Sequence, residues 1–250
     1  MKKLGSLLFC CLFLLLTSCS RILDGRHIKR ESFVFINTVG IFEACLIIGE
    51  ESDCKEAKLG SSSSGVLVAK SLKNKASYIL TARHSCEPSL DPNVFGQFIE
   101  AKKESEITTV LFLQGKEIKA EVLAKDSERD ICLLKTEYIN YRPVEFSKRK
   151  SKPGERIYNL GAPSGVWSPN TIPMFEGFYS GIDLDGDTMY TIPAAPGSSG
   201  SPVFNAQGKL IGMISSVIVK FNNLSFGTDS KTIAKFIRKT LKEEGINWNP

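Results

Sequence analysis

Histidine is scarce in this sequence: two residues, His27 and His84, in a chain of 250. Any imidazole chemistry must therefore pass through one of two positions. Net charge is scarce as well. The chain carries +5, and residues 1–18 hold Lys2 and Lys3 but no acid, so the remainder carries +3 (5 − 2). That is too little, and too scattered, to make a nucleic-acid-binding surface; a run such as Lys148-Arg149-Lys150 reads as solvated loop. Paired CxxC spacings are missing, which argues against a cysteine–zinc site. There is no short-period repeat, and helical periodicity is confined to the end of the chain.

What is present begins with an export signal. Met1-Lys2-Lys3 is a basic start, and Leu7 to Leu16 is an apolar core too short to span a bilayer comfortably. Leu16-Thr17-Ser18-Cys19 then places small residues before a cysteine, an arrangement that resembles the bacterial lipobox. The expectation is a signal peptide over 1–18, acylation of Cys19 and a polar tether over 19–31. Ser20, rather than an aspartate, follows that cysteine and favours the outer membrane. The expected location is the bacterial cell envelope, lipid-anchored, on the outer membrane or facing the periplasm.

Cys10 and Cys11 leave with the signal, so Cys45, Cys54, Cys86 and Cys132 remain in an oxidising setting. Four cysteines allow three full pairings, and the sequence does not choose among them. Cys132 lies in the apolar run Ile131 to Leu134 and is expected as a buried free thiol. One bridge is expected among the other three, with Cys54–Cys86 preferred.

The body of the chain is a succession of short apolar runs. Ser32 to Thr38, Glu43 to Gly49, Val66 to Ala69 and Ser77 to Ala82 read as strands, with a charged loop over Glu50 to Gly60. Ser61-Ser62-Ser63-Ser64-Gly65 has linker composition, but an apolar strand follows it at once. Ser85 to Gly96 reads as a loop. Ile107 to Leu113 and Glu117 to Leu123 form a predicted hairpin about Gln114-Gly115, with Ile118, Ala120 and Val122 on one face and Lys119 and Glu121 on the other. Residues 141–153, polar and carrying two prolines, read as a link between two halves, 32–140 and 154–227. Further strands are predicted over Arg156 to Gly161, Phe175 to Ile182 and Thr188 to Ile192. Asp183 to Asp187 is a hairpin turn, too short for a calcium-binding EF-hand. Over 228–245, Asp229 or Ser230 can cap a helix whose Ile233, Phe236, Ile237 and Leu241 share a face and which Gly245 ends. Many short strands and one terminal helix predict an all-β barrel fold.

Three positions carry chemistry. Gly197-Ser198-Ser199-Gly200-Ser201-Pro202 holds a serine between glycines at a sheet edge, where its hydroxyl can be pushed outward and neighbouring N–H groups can converge. His84 follows an apolar strand and starts a loop, whereas His27 sits in the polar lead-in. Asp130 stands at the mouth of a strand apolar enough to be buried, so its carboxylate needs a partner, and His84 is the natural one. Asp126 reads instead as a turn aspartate.

The order His84, Asp130, Ser199 resembles that of the chymotrypsin-like (trypsin-fold) serine peptidases. Thr81-Ala82-Arg83-His84, Asp130-Ile131-Cys132-Leu133-Leu134 and Gly197 to Pro202 are similar to their histidine, aspartate and nucleophile motifs. Phe226-Gly227 before the last helix is similar to the HtrA-like bacterial branch. The resemblance covers about residues 32 to 244 and implies two six-stranded antiparallel β-barrels with a C-terminal α-helix. It implies Ser199 as nucleophile, His84 as general base, Asp130 as its orienting partner, and an oxyanion hole from the N–H groups of Gly197 and Ser199. By the same alignment Pro193, Ala194 and the strand Ser215-Ser216-Val217 wall a specificity pocket with no acid to bind a basic side chain, so small or medium apolar P1 residues are expected.

Two departures carry expectations of their own. Ser198 stands where zymogen members have an aspartate, which implies activity without propeptide removal. No PDZ-like segment follows residue 250, so no regulation by such a module is expected. The reading is a membrane-tethered serine endopeptidase acting on protein or peptide substrates, without cofactor or metal. The competing reading is a catalytically inactive member kept as a binding lipoprotein.

Overall fold

The computed structural model describes residues 25, 27–48, 51–87, 99–218 and 221–250. The predicted signal peptide, Cys19 and most of the tether and of the 85–96 loop lie outside these. The fold is two closed six-stranded antiparallel barrels followed by a helix, as the family resemblance implies. The first barrel runs β1 (Phe33–Ile48), β2 (Glu51–Ser71), β3 (Ala76–Ala82), β4 (Ile99–Leu113), β5 (Lys116–Asp126) and β6 (Ile131–Glu137), in the spatial order β1-β2-β3-β6-β5-β4. The second runs β7 (Arg156–Leu160), β8 (Met174–Ile182), β9 (Thr188–Tyr190), β10 (Pro202–Asn205), β11 (Leu210–Ile218) and β12 (Phe221–Asp229), in the order β10-β11-β12-β9-β8-β7. A one-turn helix α1 (Arg83–Cys86) follows β3, and α2 (Ser230–Glu243) closes the chain. Among the described residues no helix is long and apolar enough to cross a membrane.

Strand periodicity explains how the barrels pack on each other. In β6, Cys132 and Leu134 point into the first barrel's interior with Val34, Ile36, Leu67 and Ile79. Their neighbours Ile131 and Leu133 point the other way, into a layer shared with Leu160, Phe204 and Met213 of the second barrel. This strand is therefore apolar on both faces, and Ile131 to Leu134 are fully buried. Ile233, Ile237 and Leu241 of α2 join the same layer, brought to one face of the helix by its 3.6-residue spacing. Asp229 caps α2, its carboxylate accepting from the N–H groups of Lys231 and Thr232 at 2.8 and 3.3 Å.

Three local expectations change. Of the charged segment, residues 51–60 are not a loop: β1 and β2 are one long antiparallel ribbon, paired from Phe33↔Val66 out to Ile48↔Glu51. Its charged residues Asp53, Lys55, Glu56 and Lys58 are all exposed, whereas Cys54, Ala57 and Leu59 between them are half-buried. Of its exposed residues, Lys55 and Lys58 pair with Asp53 and Glu56. β3 covers β2 only from Val66 onward, so among the described strands the stretch 51–63 has none on its outer side. Second, the β4–β5 hairpin turns at Gln114 and Gly115, both at positive φ (50° and 80°), as a two-residue turn matching strand twist requires. Its predicted alternation fails past Ala120: a bulge between Val122 and Ala124 leaves Val122 37% exposed and turns Leu123 toward the core.

Third, the cysteines pair otherwise than expected. Cys132 is no free thiol, and Cys54 does not bond Cys86. The bridges are Cys45–Cys54 and Cys86–Cys132. Cys45 and Cys54 are direct cross-strand partners once 43–58 is a ribbon rather than strand plus loop. Cys86 and Cys132 meet because α1 folds back over the start of β6.

Candidate active site

β3 is buried along its whole length and delivers Arg83 and His84 to the barrel rim, where the strand ends and α1 begins. Its neighbour β6 starts one residue after Asp130. Asp130 adopts a positive φ of 50°, a left-handed conformation that aspartate tolerates better than most non-glycine residues, and the surroundings hold it there. Its backbone carbonyl accepts from the Arg83 N–H at 3.0 Å, and the preceding carbonyl, of Arg129, accepts from the Thr228 hydroxyl of the second barrel at 2.7 Å. Both carboxylate oxygens face His84. Oδ1 accepts the His84 backbone N–H at 3.0 Å, and Oδ2 lies 2.8 Å from His84 Nδ1. A carboxylate can only accept, so Nδ1 carries the proton and Nε2 presents a lone pair. Nε2 lies 2.8 Å from Ser199 Oγ. The imidazole is 46% exposed and the carboxylate 29%, so the dyad is open on the side a second molecule would approach.

The loop that carries Ser199, between β9 and β10, is fixed peptide by peptide. The Ser198 N–H donates to Ala195 O at 2.8 Å, Ser201 to Ser198 O at 3.0 Å and Gly200 to Ile214 O at 2.8 Å. Pro196 O accepts from the Ser164 N–H at 2.6 Å. A trans peptide directs its N–H opposite its carbonyl, so the Gly197 N–H points away from Ser164. Among the described residues neither the Gly197 nor the Ser199 N–H has a protein acceptor. Both lie in the loop that carries Ser199 Oγ. Gly197 sits at φ +98°, and a Cβ there would lie 2.4 Å from Ala162 O. Only glycine fits that turn.

Beside Ser199 lies a cavity of about 410 Å³ lined by Ala194, Ala195, Pro196, Ile214, Ser215, Ser216 and Val217. It contains no charged side chain. Ala194, Ser215 and Val217 were expected there; Pro193 is exposed and not among the lining residues, because successive residues of an extended segment point to opposite sides. Ser216 of the predicted Ser215-Ser216-Val217 wall lines it as well; sequence reasoning missed Ala195, Pro196 and Ile214 as walls, and it missed the backbone donor of Ser164. Nothing in the residue type of a backbone donor signals it in advance. His27, the other imidazole, is exposed and lies against Gly208 in the β10–β11 turn, distant in the fold from the dyad.

Comparison with known proteins is consistent with this geometry. The family model described as "Trypsin-like peptidase domain" matches residues 63–213, more than half of the chain. A protein named "Serine protease HtrA-like" from Staphylococcus aureus strain MRSA252 is 29% identical over 165 residues, which cover 58% of this chain and 21% of that protein. Its counterpart in strain USA300 is 30% identical over 162 residues, 57% and 21% of the two chains. The chain thus spans about a fifth of the length of the curated relatives it matches. Among solved structures, the serine endoprotease from Yersinia pestis superposes with a TM-score of 0.57 at 18% identity, over 83% of this chain and 63% of that one. An inactive mutant form of Rv3671c from M. tuberculosis H37Rv superposes at 0.58 with 14% identity, over 88% and 93%. At such identities the two structures speak for the fold alone.

Proposed function

This chain belongs to the trypsin-like peptidase domain family and is by fold and family a serine peptidase, and on that premise we propose a membrane-tethered endopeptidase that works through His84, Asp130 and Ser199. One observation carries the proposal: the unbroken relay of two 2.8 Å contacts from Asp130 through His84 to Ser199. Ser199 Oγ attacks the scissile carbonyl while His84 Nε2 takes its proton. The imidazolium then gives that proton to the leaving amine, and water repeats the cycle on the acyl-enzyme. Asp130 fixes the tautomer and stabilises the charged ring. The unpartnered N–H groups of Gly197 and Ser199 receive the oxyanion, where each such donor is worth roughly 10²–10³ in rate. The uncharged cavity beside Ser199 suits small or medium apolar P1 side chains.

Ser198 supports activity without trimming. Its hydroxyl accepts the Ala195 N–H at 3.2 Å and the residue is buried, so the loop is held from within rather than by a newly cut N-terminus. Tethering rests on the lipobox-like Leu16 to Cys19, and the two disulfides support an exported, oxidising location.

A fluorophosphonate probe tests the centre of this reading. Purified mature protein should label without prior proteolysis, and Ser199→Ala should not label. A folded protein that never labels is instead the binding module of the competing reading. Globomycin should block signal removal, and Cys19→Ala should release the protein from the membrane fraction; a protein indifferent to both has no lipid anchor.

A further inference from the structure

The four-serine run before β2's apolar stretch has no part in the relay, yet one of its members touches the nucleophile loop twice. Ser64 is fully buried. Its hydroxyl donates to Gly197 O at 2.8 Å and accepts from the Ala162 N–H at 3.0 Å. Its backbone N–H donates to Ser199 O at 2.9 Å. Its own carbonyl accepts from the Thr81 hydroxyl at 2.8 Å, on the strand that ends at His84. One residue of the first barrel therefore holds the carbonyls of both residues whose N–H groups are free, and is itself held by the histidine strand.

We propose that Ser64 is a positioning residue of the oxyanion hole: its hydroxyl anchors the Gly197–Ser198 peptide, on the far side of Gly197 from the peptide that bears the Gly197 N–H, so that rotation about the Gly197 backbone bonds cannot swing that N–H off its aim. The inference rests on reading Gly197 and Ser199 as the oxyanion donors. Gly197 lacks a side chain and sits at a φ that glycine alone adopts readily, so nothing intrinsic to the residue locks its two flanking peptides. External bonds must do it. Pro196 O is tied to Ser164, and Gly197 O is tied to Ser64. The first fixes the peptide that bears the Gly197 N–H, and the second stops that residue from rotating about its other bond. Serine suits the position because its hydroxyl donates and accepts at once in minimal volume. Removing the hydroxyl leaves Gly197 O and Ala162 N buried without partners, and the loop relaxes to recover them.

The test compares wild type, Ser64→Ala and Ser64→Cys on a peptide substrate and on a peptidyl boronate, which forms a tetrahedral adduct at the serine. Losing a hole donor outright costs about 10²–10³ in rate, so misaiming one is expected to lower kcat by roughly ten- to a hundredfold with KM held within about threefold. Boronate affinity should fall in proportion to kcat/KM, while affinity for a product peptide should not move. A cysteine keeps a weak donor, so Ser64→Cys should fall between the other two, and it carries the test if Ser64→Ala does not fold. A merely structural serine would lower the urea midpoint and leave the kcat of the folded fraction intact; that result overturns the proposal. A wild type that neither cleaves nor labels overturns the peptidase reading and this inference together, whereas an active wild type with fully active variants overturns the inference alone.

Discussion

Removing the Cys86–Cys132 bridge should cost more than removing Cys45–Cys54, and it should cost activity as well. The bridges close loops of very different length, with sequence separations of 46 and 9. Chain-entropy estimates then give about 4 kcal/mol for the longer loop and about 2.5 kcal/mol for the shorter. At this chain size, 1 kcal/mol shifts the melting temperature by roughly 2–4 °C. Cys86→Ala/Cys132→Ala should therefore melt roughly 8–16 °C lower than wild type, and Cys45→Ala/Cys54→Ala roughly 5–10 °C lower. The catalytic effect follows from placement. Cys86 is two residues past His84 and Cys132 two past Asp130, so the covalent tie runs parallel to the His84–Asp130 hydrogen bond. Freed of that tie, α1 can drift from β6, and a displacement near 1 Å can cost as much as ~10² in rate. We expect at least a tenfold drop in kcat/KM for the first double variant and none beyond twofold for the second. The assays are calorimetry and hydrolysis of a chromogenic peptide. Equal melting losses, or a first variant of full activity, would refute the reasoning, as would four alkylatable cysteines in the unreduced mature domain.

Other outcomes follow from single contacts. Glu145 is held down to about 2 by hydrogen bonds from Lys209 and then Lys29. A depressed carboxyl stabilises the fold above its ordinary range near 4.5 and loses that contribution as pH falls toward 2. Because the side chain is 56% exposed, solvent screening leaves about 1 kcal/mol at most, so Glu145→Gln should lower the urea midpoint at pH 7 and match wild type near pH 2. Asp229→Ala should cost about 1 kcal/mol through loss of the α2 cap, read by denaturant titration. Val217→Gly should enlarge the cavity beside Ser199 and shift a peptide-library profile toward larger apolar P1 residues; a profile dominated by Arg or Lys in either protein would sink the pocket assignment.

The strands were legible because short apolar runs such as Ile131 to Leu134 and Ser77 to Ala82, bounded by polar turns, are written in side-chain polarity. The positions of His84, Asp130 and Ser199 were legible because a polar residue at the mouth of an apolar strand has few other places to go. The ribbon over 43–58 was not, since a solvated two-faced strand carries charge on both sides and looks like a loop. Its misreading also hid the Cys45–Cys54 pair, whose partners are neighbours only in ribbon register. The role of Ser64 was invisible for another reason: its partners are backbone atoms contributed by the other barrel.

Over residues 51–63 the outer side of β2 has no described strand beside it. An uncovered run of backbone donors and acceptors is a template on which any extended polypeptide can stick. Here that border is fringed by Asp53, Lys55, Glu56 and Lys58, all exposed and of alternating sign, which discourages an apolar strand from docking. Such a fringe makes it costly for another extended chain to add itself to this border.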